Sequence, residues 1–204
     1  MSDQNNHVAD FSWIRFYEEL ADKLFELKDE RDALITKLER CLNIFNEKSL
    51  QNNNNAKTVS IENFCCSDKQ GSIDIDPFTV FAIFNRAQTY ETKKNFFESF
   101  KTAFEMISDI PSSTDGVPHA DNRRARFFNS PNDIEKLWNI FVAAINLSNG
   151  RTEDDSSFSN SFDSAEKINN VKWNLTFALY WIRPNFFLPL DSNSRNFISI
   201  NRKW

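Results

Sequence analysis

Only three glycines, Gly71, Gly116 and Gly150, occur in the 204 residues of this chain. Neither a G-x-x-x-x-G-K-[ST] loop nor a G-x-G-x-x-G turn can be assembled from them, so both common backbone cradles for nucleotide phosphates are absent. Histidine is scarcer still: His7 and His119 are the two, far apart in sequence. No set of His, Cys or carboxylate residues has zinc-ligand spacing, and no nucleophile motif accompanies His119, so neither a metal site nor a Ser/His/Asp or Cys/His arrangement is expected. The three cysteines, Cys41, Cys65 and Cys66, contain no C-x-x-C, and the adjacent pair cannot close an ordinary bridge. Free thiols in a reducing, cytoplasmic setting are the expectation. No apolar run approaches the length of a membrane span and residues 1–10 are polar, so neither an anchor nor a signal peptide is expected. Positive charge is also in deficit: 24 Lys and Arg against 29 Asp and Glu leave a net charge of −5. Bulk electrostatics therefore oppose nucleic-acid binding, and any such role has to rest on a local patch.

What the chain has in abundance is phenylalanine, 21 in all, and helical spacing. In residues 11–46 an apolar stripe runs through Trp13, Tyr17, Leu20, Leu24, Leu27, Leu34, Leu38, Cys41 and Phe45, at alternating steps of three and four and interrupted where Arg31 falls. Ile14, Phe16, Phe25 and Ile35 widen it beyond a coiled-coil seam, which favours a long core-facing helix with a kink at the charged cluster of residues 28–32. Residues 51–75 form a polar linker, with room for a short strand at 58–61. Asp76-Pro77 is a helix entry, Asp as cap and Pro at the first helical position, leading into an apolar run to Phe84. Residues 89–106 form an amphipathic helix with Phe96, Phe97, Phe100, Ala103, Phe104 and Ile107 on one side. Ser130-Pro131-Asn132-Asp133 opens another helix, stopped at Asn149-Gly150. Residues 151–160 read as an acidic, serine-rich loop, with Asp163 and Glu166 boxing a short helix. Residues 173–182 read as a buried helix or strand ended by Arg183-Pro184, and Asp191 or Ser192 caps a last helix to Ile200. The fold class is mainly α with room for minor β: an N-terminal helical segment (1–50), the linker (51–75) and a helical core (76–204) carrying a basic loop at 119–129.

Three features carry candidate chemistry. Asp76 ahead of Glu91-Thr92-Lys93 resembles the carboxylates and lysine of a metal-dependent nuclease, but at loose spacing, and Glu91 equally suits the first turn of its helix. Asn122-Arg123-Arg124-Ala125-Arg126 is the densest cationic cluster, and Phe127-Phe128 follow. Guanidinium groups fork onto phosphate oxygens or guanine edges while rings stack on unpaired bases; a solvated loop leading into two core rings explains the same residues. Arg183 and Arg195 belong to a second positive island near the C-terminus. Trp173, Tyr180 and Trp181 concentrate large rings in one short segment, as core or as an aromatic pocket for a base.

Several stretches resemble the N-terminal region ahead of the AAA+ GTPase in McrB-like proteins of modification-dependent restriction systems. They are Trp13-x-x-Phe16-Tyr17-x-Glu19-Leu20-Ala21-Asp22-Lys23-Leu24, Asp76-Pro77-Phe78-Thr79-x-Phe81 with Phe84-Asn85-Arg86, Leu137-Trp138-x-x-Phe141, and Trp173-Asn174-Leu175-Thr176-x-x-Leu179-Tyr180-Trp181-Ile182-Arg183-Pro184 through Leu190-Asp191-Ser192-x-x-Arg195. The resemblance spreads over nearly the whole chain, and the last block is its most specific part. It implies a target-recognition domain that binds duplex DNA with or without modified cytosine, while a separate GTPase motor and nuclease do the work. The GTPase of such proteins is absent here, which implies an isolated module or part of a longer chain. On this reading Asn122, Arg123, Arg124, Arg126, Arg183 and Arg195 contact DNA, and Trp173, Tyr180 and Trp181 are base-stacking candidates. No catalytic residue, cofactor or membrane contact is expected, and homo-oligomerisation is left open. The alternative is a helical interaction module whose N-terminal helix dimerises or docks onto a motor or nuclease.

Overall fold

The computed structural model describes residues 10–52, 57–67, 71–86, 88–119, 126–150, 155–169, 171–190, 194 and 196. Among them are seven α-helices, α1 (Trp13–Glu26), α2 (Arg31–Asn52), α3 (Pro77–Ala82), α4 (Tyr90–Ala103), α5 (Pro131–Ser148), α6 (Asp155–Ala165) and α7 (Asn174–Ile182), with two short strands, β1 (Cys66–Ser67) and β2 (Ile73–Asp74). The fold is mainly α. The strands pair antiparallel, Cys66 opposite Asp74 and Ser67 opposite Ile73. Where a strand was expected at 58–61, the chain instead enters a 3-10 turn at Ile61–Asn63.

The expected single N-terminal helix is two helices, broken at residues 27–30. Arg31, the residue that interrupts the apolar stripe, opens α2 directly after the break. Its guanidinium lies 3.9 Å from the Trp138 ring of α5, while its Nε donates to the Lys28 carbonyl at 2.6 Å, tying α2 to the end of the preceding turn. On both sides of the break the stripe turns inward: Trp13, Tyr17, Leu20, Leu24, Leu34, Leu38, Cys41 and Phe45 are all buried. The first 50 residues thus share one core with the rest, since every helix contributes to the same buried cluster. α1 packs on α7, α2 on α4, and α5 on α6.

Phenylalanine fills that core by edge and face. Tyr17 sits among Trp13, Phe81, Phe84 and Phe97 with ring centroids 5.0 to 6.2 Å away, in the offset and edge-on geometries that the ring quadrupole favours. Its hydroxyl donates to the Asn85 Oδ1 at 2.6 Å. Phe45 of α2 stacks on Phe96 of α4, centroids 3.7 Å apart, and fixes that helix pair.

The starts of α3, α4 and α5 follow capping signals, whereas Asp163, expected to open a short helix with Glu166, lies in the last turn of α6. Asp76 takes the N–H groups of Phe78 and Thr79, both at 2.9 Å, with Pro77 at the first helical position. Thr89 accepts from Thr92 N at 3.3 Å, and Asp133 accepts from Ser130 N at 3.1 Å. Two further assignments change. Ile107 lies beyond α4, past Glu105 in the left-handed region at φ +55, and is 89% exposed instead of packing with the phenylalanines. Part of the expected serine-rich loop is helix α6, whose Phe158 and Phe162, four residues apart, pack against the core where serine and asparagine propensities argue for a loop. Among the described residues no helix is long and apolar enough to cross a membrane.

Candidate nucleic-acid interface

The described residues on either side of the arginine-rich segment are anchored. On the upstream side, Thr114 to Val117 make a tight turn in which Val117 N donates to Thr114 O at 3.2 Å, and Gly116 takes φ +78, a conformation that a Cβ would strain. Two indoles hold this turn down: Trp13 Nε1 donates to Asp115 O at 3.0 Å and Trp181 Nε1 to Pro118 O at 2.9 Å. On the downstream side, Phe127 N donates to Thr79 Oγ1 at 3.0 Å, and Phe127 and Phe128 are buried. The Phe127 ring meets Trp181 edge-on at 6.0 Å. Both ends of the segment therefore converge on one ring. Asn122, Arg123 and Arg124 lie outside the described residues, as does Arg195.

Trp181 is accordingly a core residue, not an accessible stacking surface: it is fully buried, and its ring also lies 6.5 Å from Phe81. Tyr180 is half-buried against Trp13 at 5.6 Å. Trp173 is the most open of the three, at 50% exposure. It precedes α7 and lines a cleft of about 550 Å³ with Phe162, Glu166, Lys172, Thr176 and Leu190. Thr176 Oγ1 donates to Trp173 O at 2.8 Å and accepts from Leu190 N at 3.0 Å, which holds both sides of the cleft. Lys172, beside the ring, has φ +32, a strained setting for a residue with a side chain.

Arg126 is exposed; its guanidinium reaches Cys65 O at 3.4 Å and lies 5.6 Å from the Phe128 ring. Arg86, not singled out from sequence as a contact, belongs to the same neighbourhood, lying 4.9 Å from the ring of Phe64, next to Cys65. Burial depresses its basicity, and its Nε has no hydrogen-bond partner among the described residues. Neither arginine makes an ion pair among the described residues, in contrast to Arg31 with Asp74 and Glu135, Lys48 with Glu98, and Lys136 with Asp133. The signal that could have found Arg86 was its place just past a run of buried aromatics, where a cation stands out.

Arg183 belongs to the interior, which corrects its expected role. It is 8% exposed, ion-paired with Asp22 of α1, and donates to Ser148 Oγ of α5 at 3.2 Å and to Ile182 O at 2.8 Å. One side chain thus ties α1, α5 and the end of α7, where its charge also suits the helix C-terminus. Arg183→Met is expected to lower unfolding free energy by about 1.5–3 kcal/mol, the range for hydrogen bonds to a charged group. Urea melts check this. Unchanged DNA affinity in the same variant would separate it from the interface arginines.

The nuclease-like fragment is dispersed. Asp76 is fully buried and committed to the cap of α3, Glu91 is exposed in the first turn of α4, and Lys93 is buried against Thr114 and His119. Among the described residues no cluster of three or more His, Cys, Asp or Glu could hold a metal ion.

A family model described as a domain of unknown function, DUF8425, matches residues 13–202. The chain belongs to this family. No curated protein and no solved structure matches it. The family match runs from the indole that holds Asp115 to beyond α7, so it takes in the anchored arginine segment and the Trp173 cleft alike.

Proposed function

We propose that this DUF8425 chain is the DNA-binding specificity module of a McrB-type restriction system, recognising target DNA for a separate GTPase motor and nuclease. The observation that carries the reading is the pair Arg86 and Arg126, cations without carboxylate partners among the described residues on a chain of net charge −5, with Arg126 following the Arg123-Arg124 run in sequence. The resemblance of the Trp13, Asp76, Leu137 and Trp173 blocks to McrB-like N-terminal regions supports the same role. In this reading Asn122, Arg123, Arg124 and Arg126 meet phosphates or base edges, with Arg86 added to them and Arg183 removed. Arg195 remains a candidate contact. Trp173 supplies the aromatic wall of a cleft of about 550 Å³, wide enough to hold a base; modified cytosine is the chemistry that the resemblance suggests. No catalytic step is assigned to the chain, and its free thiols fit a cytoplasmic setting.

Trp173→Ala is the expected discriminator. Loss of one base–aromatic stack is worth about 1–3 kcal/mol, so affinity for the preferred DNA should fall about five- to a hundredfold. Because the ring is half exposed, the melting midpoint should stay near that of the wild type. Wild-type affinity in the variant would remove the cleft from recognition.

A second reading, a protein-interaction module, has its own support in the exposed apolar side chains Trp173, Phe186 and Leu188. The N-terminal stripe no longer serves it, because that stripe is buried in the chain's own core. Mass rising with concentration in sedimentation, together with no DNA retention at low salt, would favour this reading over the first.

A further inference from the structure

Lys93 is placed where a cation is least welcome. It is 2% exposed, and no carboxylate lies within ion-pair distance among the described residues. It occupies the first turn of α4, whose unpaired N–H groups make that end positive. Burial alone pushes its basicity down. Among the described residues, the groups that meet its ammonium are Thr114 Oγ1 and His119 Nδ1, each at 3.4 Å, long for hydrogen bonds to a charged donor. His119 is exposed, so the buried ammonium touches a ring that reaches solvent. That neighbour adds no compensating charge; burial and Lys93 both hold the imidazole below its usual range.

The partners are also held in place. Thr114 opens the turn that Trp13 fixes through Asp115 O, and His119 follows Pro118, whose carbonyl Trp181 fixes. Two indole N–H groups thereby hold a hydroxyl and an imidazole beside an ammonium, with no anion among the described residues to satisfy it. Burying a cation is costly, and an anion that binds all three groups relieves the cost.

We propose that Lys93, Thr114 and His119 form an oxyanion-binding site of the phosphate class, entered from the exposed side of His119. A free phosphate and a phosphodiester of nucleic acid share this chemistry. The site stands independently of the DNA reading, because inorganic phosphate tests it alone.

The test is titration calorimetry and thermal melting of the full chain with sodium phosphate against chloride at matched ionic strength. The wild type should bind phosphate and melt higher in it than in chloride. Lys93→Met, which fills the same space without charge, should bind roughly ten- to a hundredfold more weakly, the loss expected for a charge-assisted hydrogen bond. His119→Ala, at an exposed position, should also weaken binding. Equal behaviour of the wild type in phosphate and chloride, or equal phosphate binding by wild type and Lys93→Met, would overturn the proposal. A DNA duplex titrated into the same proteins identifies the source. Weakened duplex binding by Lys93→Met marks a phosphodiester, and unaffected duplex binding beside abolished phosphate binding marks a free phosphate. Phosphate binding without any duplex binding would leave this site intact while removing the DNA reading.

Discussion

Asp76→Ala is expected to destabilise the fold by about 2–4 kcal/mol, the sum of a missing helix cap and of buried donors left without acceptors. The carboxylate accepts from Phe78 N, Thr79 N and the Thr79 hydroxyl, and that hydroxyl accepts in turn from Phe127 N. Removing it uncaps α3 and loosens the downstream end of the arginine segment together. Urea melts give the free energy, and hydrogen exchange at Phe127 N should rise alongside. The pH dependence of the wild type carries a second signature. Burial raises the Asp76 carboxyl from 3.8 to about 6, against the lowering effect of its hydrogen bonds. Between those values the unfolded chain releases a proton that the native carboxyl keeps, so the unfolded state binds fewer protons and stability falls as pH rises. Asp76→Asn keeps an acceptor for the two backbone N–H groups and cannot titrate. The difference in stability between it and the wild type should therefore change from pH 4 to 6 and level off above. A difference flat across that window would contradict the raised carboxyl.

Replacing Arg123, Arg124 and Arg126 together with Ala is expected to weaken duplex binding roughly a hundredfold at low salt. The slope of log affinity against log salt should fall by about 0.9 for each phosphate that the variant no longer neutralises. A uniform loss across sequences would mean that the arginines touch only the backbone, and a loss confined to one sequence or one modified base would mean that they read it. Arg126 is exposed, and its contacts with a carbonyl at 3.4 Å and a ring face at 5.6 Å are long, so its loss should cost the fold little. Arg183→Met serves as the reverse control, losing stability and keeping affinity. Equal affinity of the triple variant and the wild type would remove the segment from the interface.

The fold was legible where local chemistry and burial agree. Asp76-Pro77 and Ser130-Pro131 marked helix starts because a cap and a fixed φ act within one turn, and the stripe from Trp13 to Phe45 marked its buried face because helical period and core packing coincide. The failures are tertiary. Arg31, directly after the break between α1 and α2, lies over a ring on α5 that sequence does not place beside it. Residues 155–165 are helical through two phenylalanines and the surface that they find, despite a composition that favours a loop. The candidate site was legible only in part, for a related reason. Arginine and tryptophan look alike in sequence whether they face solvent or hold the interior together. Arg183 and Trp181 do the latter, joining α1 to α5 and α7 and anchoring the basic segment. Much of the Trp173-to-Pro184 block, including Leu175, Thr176, Leu179, Trp181 and Ile182, is likewise buried, so its distinctive pattern encodes packing as well as any role in recognition.

The most direct test of DNA recognition is fluorescence anisotropy of short duplexes, unmodified and cytosine-modified, titrated with the whole chain across a salt series. The expected result is binding whose affinity falls steeply with salt and is tighter for one duplex than for the others. No binding at the lowest salt, with any duplex, would contradict a DNA-recognition role.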